Sequence, residues 1–597
     1  MDIFGVLSML GGLALFLFGM DVMGDGLEKA SGGRLERVLE KLTANKLMAV
    51  LLGCGVTAII QSSSATTVMV VGFVNSGIMK LEQAVGIIMG ANVGTTMTAW
   101  LLSLTGLEGG SFIMKMLKPS SFAPILAVIG IVFIMFMKKN EQKRNLGAVL
   151  LGFMVLMTGM DMMSAAVKPL ANVPEFTALF TMFSNPILGL LVGALVTAVI
   201  QSSSASVGIL QALSATGAIS FGSALPIIMG QNIGTCATAL LSGIGANKNA
   251  RRTSLVHLYF NVVGTVAFLI IFYAINSFVQ FEFMNGPATA VNIAIIHTVF
   301  NLFATCLLLP FSGGLVKLAC MTVKDDPVAE AEPTAEEKAF RLLDPRFLET
   351  PGYAVDQCKK TAVEMAKHAK TGLLMSLELL ENFDADKAKK VKELEDLVDR
   401  YEDELGSYMV KLSHAPLSKY DNHTISLLLH SIGDLERISD HSMNILGAAE
   451  EMHEKGMTFS NEGKGELKVF VDAVREILDL TVSAFEKNDI KRAAFVEPLE
   501  EVVDEINTMV KANHIKRLQK GICTIEQGFV LSDISTNLER VSDHCSNIAI
   551  SVIEIDRDGF DAHGYLENLK KENDPQFMGL VESYRKKYTL PTSVAAE

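Results

Sequence analysis

Gln61-Ser62-Ser63-Ser64-Ala65-Thr66-Thr67 recurs 140 residues later as Gln201-Ser202-Ser203-Ser204-Ala205-Ser206-Val207. The same offset relates Thr57-Ala58-Ile59-Ile60 to Thr197-Ala198-Val199-Ile200, and Gly19-Met20-Asp21 to Gly159-Met160-Asp161. It also relates Gly90-Ala91-Asn92-Val93-Gly94-Thr95-Thr96 to Gly230-Gln231-Asn232-Ile233-Gly234-Thr235-Cys236. One offset held over about 80 residues is a duplication. Each copy puts polar residues at the centre of a long apolar run.

The runs around the serines, 47–79 and 187–219, each have two apolar arms of about 15 residues. Such an arm rises about 22 Å as a helix, short of the roughly 30 Å hydrocarbon core of a bilayer. A re-entrant helix–turn–helix hairpin is therefore expected, its irregular tip shielded by protein or a wet cavity. Stretches long enough to span lie near 3–23, 82–104, 121–137, 145–167, 222–243, 254–275 and 288–310. Residues 3–23 read as a retained span, because no basic region or small-residue cleavage site accompanies them.

The chain has 597 residues, half of them hydrophobic, and its charge is divided. Residues 1–320 carry 17 Lys+Arg and 12 Asp+Glu; the remainder has a net charge of −19. The first part is a membrane domain by composition and the second an acidic, helical, soluble one. An acidic soluble part argues against nucleic acid. Seven cysteines without CxxC spacing argue against a disulfide scaffold. No nucleophile–base pair or Walker motif points to an enzyme.

Lysine and arginine set the expected topology. With no net crossing by either hairpin and the acidic part in the cytoplasm, Lys29, Arg34, Arg37, Lys41 and Lys46 face in. So do Lys138, Lys139, Lys143, Arg144, Lys248, Arg251 and Arg252, while Lys115, Lys118 and Lys168 face out. The N-terminus is then outside. Three crossings separate the copies, so the second is inverted and the serine tips meet near the midplane. Secondary transporters built from inverted repeats have this plan.

Ser62–Ser64 and Ser202–Ser204 can each cap the second arm of a hairpin. A helix N-terminus carries roughly half a positive charge, so two facing each other favour an anion. Asn92, Thr95, Asn232 and Thr235 lie mid-span beside paired glycines, which weaken a helix. An unwound point there would offer carbonyls to a hard cation. No Lys or Arg lies in either hairpin or in 82–104 and 222–243. A buried anion would need a co-bound cation for its counter-charge. Asp21 and Asp161 sit at span ends and read as solvated. Trp100 reads as an interfacial residue.

The paired QSSS segments with GxNxGT resemble the sodium–phosphate cotransporter family, in its bacterial and animal type II forms, over roughly residues 1–315. The resemblance implies inorganic phosphate as substrate and sodium as the driving ion, in a multi-pass protein of the bacterial inner membrane. It gives Gln61, Ser62, Ser63, Ser64, Gln201, Ser202, Ser203 and Ser204 the lining of the phosphate and sodium sites. The segments from His257 to Asn261 and from His297 to Asn301 also resemble family segments; each histidine reads as a hydrogen-bonded structural residue. Electrogenic animal members carry His-Asp-x-Phe-Asn between the repeats, and residues 105–137 have no such segment. An exporter, a sodium-independent carrier and a membrane-tethered phosphate sensor are the rival readings.

Beyond a proline-punctuated linker at 321–352, six amphipathic helices are expected near 353–382, 385–413, 418–452, 460–487, 489–520 and 525–555. Leu435-Glu436-Arg437-Ile438-Ser439-Asp440-His441 recurs as Leu538-Glu539-Arg540-Val541-Ser542-Asp543-His544, offset 103. Glu395 with Asp399 recurs as Glu500 with Asp504, offset 105. Two tandem three-helix bundles follow. Like charges at i,i+4 repel, so either Arg437 and Arg540 or a metal must offset them. The Glu-Arg-x-Ser-Asp-His-x-x-Asn segments resemble the PhoU family of phosphate-signalling proteins. That resemblance implies a metal (iron, manganese or magnesium) at Glu395, Asp399, Glu436, Asp440, Glu500, Asp504, Glu539 and Asp543. It also implies phosphate-signalling proteins as partners.

The expected whole is all-α. A transmembrane domain occupies 1–320, with inverted repeats at about 1–137 and 141–277. The PhoU-like domain occupies 353–556, and a loosely ordered tail follows at 557–597.

Overall fold

The structure, a computed structural model, describes residues 3–31, 38–39, 45–106, 119–137, 140–175, 182–324, 334–554 and 575–591. Arg34, Arg37, Lys41, Lys115, Lys118, Lys138 and Lys139, which entered the topology, lie outside them. The chain divides into two units: Met1–Ala354 with Ala415–Ser418, and Val355–His414 with Lys419–Glu597. The described residues form helices, turns and one isolated bridge, Ser220 to Pro287.

The first unit begins with α1 (Ile3–Ser31), then α2 (Lys46–Ile60) and α3 (Ser63–Asn75), the arms of the first hairpin. There follow α4 (Leu81–Ser103), α5 (Pro119–Phe136) and α6 (Glu141–Val167). The second copy supplies α7 (Pro186–Ile200) and α8 (Ser203–Ser214), then α9 (Phe221–Gly234) and α10 (Cys236–Ser242). Helices α11 (Lys248–Val279), α12 (Ala290–Leu308) and α13 (Ser312–Thr322) complete it. Among the described residues, six helical stretches are long and apolar enough to cross a membrane: 3–30, 81–103, 141–170, 221–242, 248–279 and 290–308. The seventh expected span is the shorter apolar α5.

Small residues fix how these helices meet, as is usual where apolar faces alone give no preference in lipid. A Cβ on Gly19 would stand 2.3 Å from Leu156 N, and one on Gly159 2.4 Å from Phe16 N. Gly12 meets Gly159 while Gly19 meets Gly152, so α1 and its counterpart α6 cross antiparallel with equivalent residues exchanged. The mid-span glycines serve the same purpose. A Cβ on Gly90 would lie 2.0 Å from Val50 O, and one on Gly230 2.1 Å from Leu190 O.

This corrects one expectation. Helix α4 runs unbroken through Gly90–Gly94, because those glycines admit α2 and do not loosen the backbone. Only the second copy is interrupted, at Thr235 between α9 and α10.

In the linker, α14 (Ala335–Arg341) opens on a capping box of Thr334 and Glu337, and a 3-10 turn covers Pro345–Glu349. Residues 325–333 are not among those described.

The second unit takes most of α15 (Pro351–Leu379), then α16 (Ala385–Leu412) and α17 (Lys419–Glu454). Next come α18 (Asn461–Lys487), the single turn α19 (Ile490–Ala493), α20 (Val496–Gln519) and α21 (Ile525–Glu554). The fifth expected helix is thus split. It restarts at Val496 with Pro498 in its first turn, where a missing N–H costs little. Asp384 and Ser460 cap α16 and α18. The two sequence-related helices α17 and α21 pack together: His441 Nδ1 bonds Asn537 Oδ1 at 2.8 Å, and His544 Nδ1 bonds Asp434 Oδ1 at 2.9 Å.

Part of the expected loose tail is ordered. Helix α22 (Pro575–Lys587) buries Phe577 and Val581 and pairs Arg585 with Glu505 and Lys587 with Glu476. Two apolar residues one turn apart are too short a pattern to register as a period, yet they suffice for a seam. Residues 557–574 and 592–597 lie outside the described set.

Candidate functional site

Each hairpin turns at a glutamine in the left-handed region, Gln61 with φ 61° and Gln201 with φ 59°. A non-glycine residue there is uncommon, and such conformations cluster at functional sites. The next residue, Ser62 or Ser202, caps the second arm by accepting from Ala65 N or Ala205 N, both at 3.2 Å. The two turns are braced alike: Thr57 Oγ1 donates to Thr66 Oγ1 at 3.1 Å, and Thr197 Oγ1 to Ser206 Oγ at 2.8 Å. Gln61 accepts from Thr98 Oγ1 at 2.8 Å and donates to Ala58 O.

Both tips line one cavity of about 560 Å³. Its wall holds all eight residues of Gln61–Ser64 and Gln201–Ser204. The N-termini of α3 and α8 therefore open on a shared space. Among the described residues the lining holds no Lys or Arg and includes Asp21, Asp25 and Glu28 on one face of α1, with Lys29 paired to Asp25 at 3.9 Å. These carboxylates are the part that sequence reasoning missed. Asp21 read as a solvated span end, yet it joins the cavity wall. The i, i+4, i+7 spacing was the available signal. In the second copy the matching positions are Asp161, Ala165 and Lys168, so the acidic face belongs to the first copy alone.

The other four proposed ligands are not in that lining. Asn92, Thr95, Asn232 and Thr235 are buried and bond back into their own helices, to Ile88 O, Ala91 O, Ile228 O and Gln231 O, at 2.9–3.2 Å. The histidines also differ from expectation. His257 and His297 are 2% and 1% exposed. Nδ1 of His257 and both ring nitrogens of His297 have no hydrogen-bond partner among the described residues. They head matching stripes, His257-Asn261-Thr265 and His297-Asn301-Thr305, whose Oδ1 and Oγ1 atoms are likewise unpaired. Trp100 is 39% exposed and donates to Thr298 Oγ1 at 2.9 Å.

In the second unit, Glu395, Asp399 and Asp440 bring one carboxylate oxygen each to within 4.8 Å of one another. Glu500, Asp504 and Asp543 do the same at the matching place. A third set, Glu497, Glu500 and Glu501, adjoins the second. Glu436 and Glu539 fall outside these triads. Arg540 pairs with Asp543 at 3.3 Å on the surface, so arginine offsets part of the second set's charge. Burial, then the neighbouring acids, raises the carboxyls of Glu395 and Asp399. Glu436 is pushed up to about 7 by burial and by Asp440 beside it. All-carboxylate donors suit a hard cation, so these residues fit the metal that the PhoU resemblance implies.

A pH dependence follows for metal-stripped protein. A carboxyl raised in the folded state binds its proton more tightly there than when unfolded. Its contribution is fully present below the ordinary value near 4.5 and is lost as pH rises through about 7. The melting temperature of the second unit's transition is expected to be higher at pH 5 than at pH 8. Glu436→Gln should flatten the difference in scanning calorimetry; an equal pH dependence in that variant would remove Glu436 as its source.

Comparisons with known proteins agree with this division. The Na+/Pi-cotransporter family model matches residues 15–165 and 155–285, and the PhoU domain model matches 362–449 and 468–552. A Salmonella typhimurium relative, named "Putative inorganic phosphate export protein YjbB", is 25% identical over 92% of this chain and 97% of its own. The sodium-dependent phosphate transport protein 2A of Rattus norvegicus is 35% identical over 16% of this chain and 15% of its own. A PhoU homologue of Thermotoga maritima, named as a phosphate-specific transport system accessory protein, is 29% identical over 30% of this chain and 78% of its own. With its spanning helices, its duplicated serine hairpins and its acidic helical unit, the chain belongs to the Na+/Pi-cotransporter family and carries a C-terminal PhoU domain.

Proposed function

We propose that the chain carries inorganic phosphate across the membrane through the cavity between the two hairpin tips, coupled to sodium. The observation that supports this most is the shared lining: two helix N-termini and six serines on one space, with no Lys or Arg among the described residues that line it. Such a site offers N–H and O–H donors to an oxyanion. With Asp21, Asp25 and Glu28 in the same wall, and Lys29 paired with Asp25 at 3.9 Å, an incoming anion meets more carboxylates than cations among the described residues there. A co-bound cation makes its binding tolerable, which couples the two. The antiparallel exchange of glycines between α1 and α6 supports an inverted repeat. With the lysine and arginine pattern it supports an outside N-terminus and a cytoplasmic PhoU domain; one-sided thiol labelling of Ile244→Cys tests this.

Export is the second reading, favoured by the name of the relative that matches 92% of the chain. Radiolabelled phosphate flux in proteoliposomes decides. Flux that follows the sodium gradient in either imposed direction supports the carrier. Flux indifferent to sodium leaves a sodium-independent carrier. Phosphate binding without flux under any gradient makes the protein a tethered sensor.

The PhoU domain is proposed to bind a metal at Glu395, Asp399 and Asp440 and at Glu500, Asp504 and Asp543, and to regulate the carrier. Elemental analysis of purified protein is the direct check.

A further inference from the structure

The chain leaves the spanning helices after residue 311, and the described stretches that follow, 312–324 and 334–354, are bonded back onto them. Arg252 Nε and Nη2 donate to Val323 O at 2.9 and 2.7 Å. Farther along, Asp344 accepts from Asn75 Nδ2 at 2.5 Å and holds Arg346 Nη1 at 2.8 and 3.0 Å. Arg346 Nε donates to Ser242 O at 2.7 Å. Phe347, fully buried, packs on Phe73 at 5.6 Å between ring centroids, and Tyr353 closes the group at 5.1 Å from Phe73. Asn75 is also tied to Asn247, by two bonds of 2.8 Å. Residues 344–353 thus form a strap. It joins the end of α3, in the first copy, to the end of α10, in the second, beside the direct tie between Asn75 and Asn247.

The duplication shows that α3 is adapted to receive it. Gly72, Phe73 and Asn75 correspond at offset 140 to Ala212, Leu213 and Ala215. A Cβ on Gly72 would come within 2.7 Å of the Phe347 ring. The second copy carries that Cβ, and it lacks the ring and the amide that hold the strap here. At their other ends α3 and α8 keep Ser-Ser-Ser-Ala in common, where both line the cavity. The two helices match at the site and diverge at the strap contacts.

We propose that the strap is a brake on the exchange between conformations of the first unit, released through α15. A carrier that exposes a midplane site alternately to two sides must move one repeat against the other. The strap bonds elements of both repeats together, so it favours the arrangement in which they meet. Helix α3 starts at Ser63, and its displacement moves the cavity wall. Tyr353 lies in the first turn of α15, whose later turns belong to the PhoU-containing unit. A change of state there reaches α3 along one continuous helix. The effect on flux rests on the transport reading above; the effect on conformation does not.

Phe347→Ala removes the strap's anchor, and Gly72→Ala displaces it without altering the strap. Ala212→Gly, at the matching position of the second copy, is the control. Two readouts are needed on folded, monodisperse protein: sodium-driven phosphate flux, and the distance between spin labels at Lys80→Cys and Ile244→Cys with the native cysteines replaced. Both strap variants are expected to raise flux about fivefold or more, the lower end of usual coupling effects. Both should also lengthen the label distance, and the control should change neither. An unchanged distance overturns the proposal, as does a longer distance with equal or lower flux. If the unaltered protein carries no phosphate, the transport reading falls and the distance alone decides the strap.

Discussion

Ser63→Leu and Ser203→Leu are each expected to cut phosphate flux by at least ten- to a hundredfold while the protein stays folded. Both serines stand in the first turn of a second hairpin arm and line the cavity, at 7% and 5% exposure. Removing a buried hydroxyl that donates to an oxyanion leaves an acceptor oxygen of the anion unpaired, worth about 1–3 kcal/mol. That alone is roughly five- to a hundred-and-fiftyfold, and leucine also fills space that the anion needs. The capping serines Ser62 and Ser202 are untouched, so α3 and α8 keep their starts. Val199→Leu, on the same hairpin but 74% exposed, serves as the neutral control. Normal flux in both serine variants would remove the hairpin tips from the transport path.

Chelation is expected to lower the melting temperature of the second unit, and Asp440→Asn with Asp543→Asn should abolish that sensitivity. Each aspartate completes a triad with the two acids of a neighbouring helix, Glu395 and Asp399 or Glu500 and Asp504. A metal that binds only the folded state stabilises it by mass action, about 2.7 kcal/mol at a free concentration 100 times its Kd. For a domain of this size, roughly 2–4 °C per kcal/mol, that is a drop of about 5–11 °C on chelation. The double variant relieves the repulsion without metal, so its stripped form should melt above the stripped parent. A melting curve indifferent to chelator and to added iron, manganese or magnesium would leave these acids as a solvated face, helped by Arg540.

Much of this protein was legible in the chain because its information is periodic or repeated. The offset of 140 exposed the duplication, the length of the apolar arms excluded a simple span, and QSSS marked where each hairpin turns. The offset of 103 did the same for Glu436–His441 and Glu539–His544. Such signals are local: a cap, a helical period and a short arm each depend on neighbours in sequence.

What the chain did not disclose depends on approach in space. Glycines at 90, 94, 230 and 234 read as weak points in a helix. In three dimensions Gly90 and Gly230 admit a neighbouring backbone to about 2 Å from where a Cβ would be, which no intrinsic propensity records. The acidic face of α1 was visible as a spacing, but only packing made it a wall of the cavity. Asn92 and Asn232 looked like ligands by type, yet their amides are turned onto Ile88 O and Ile228 O. The linker read as a spacer because prolines and acids give it no period. Its residues Asp344, Arg346 and Phe347 acquire their meaning from Asn75, Ser242 and Gly72, more than a hundred residues away in sequence. Sequence determined which elements form and that they are doubled; tertiary packing decided which polar groups share a space, because burial and distance belong to the folded chain alone.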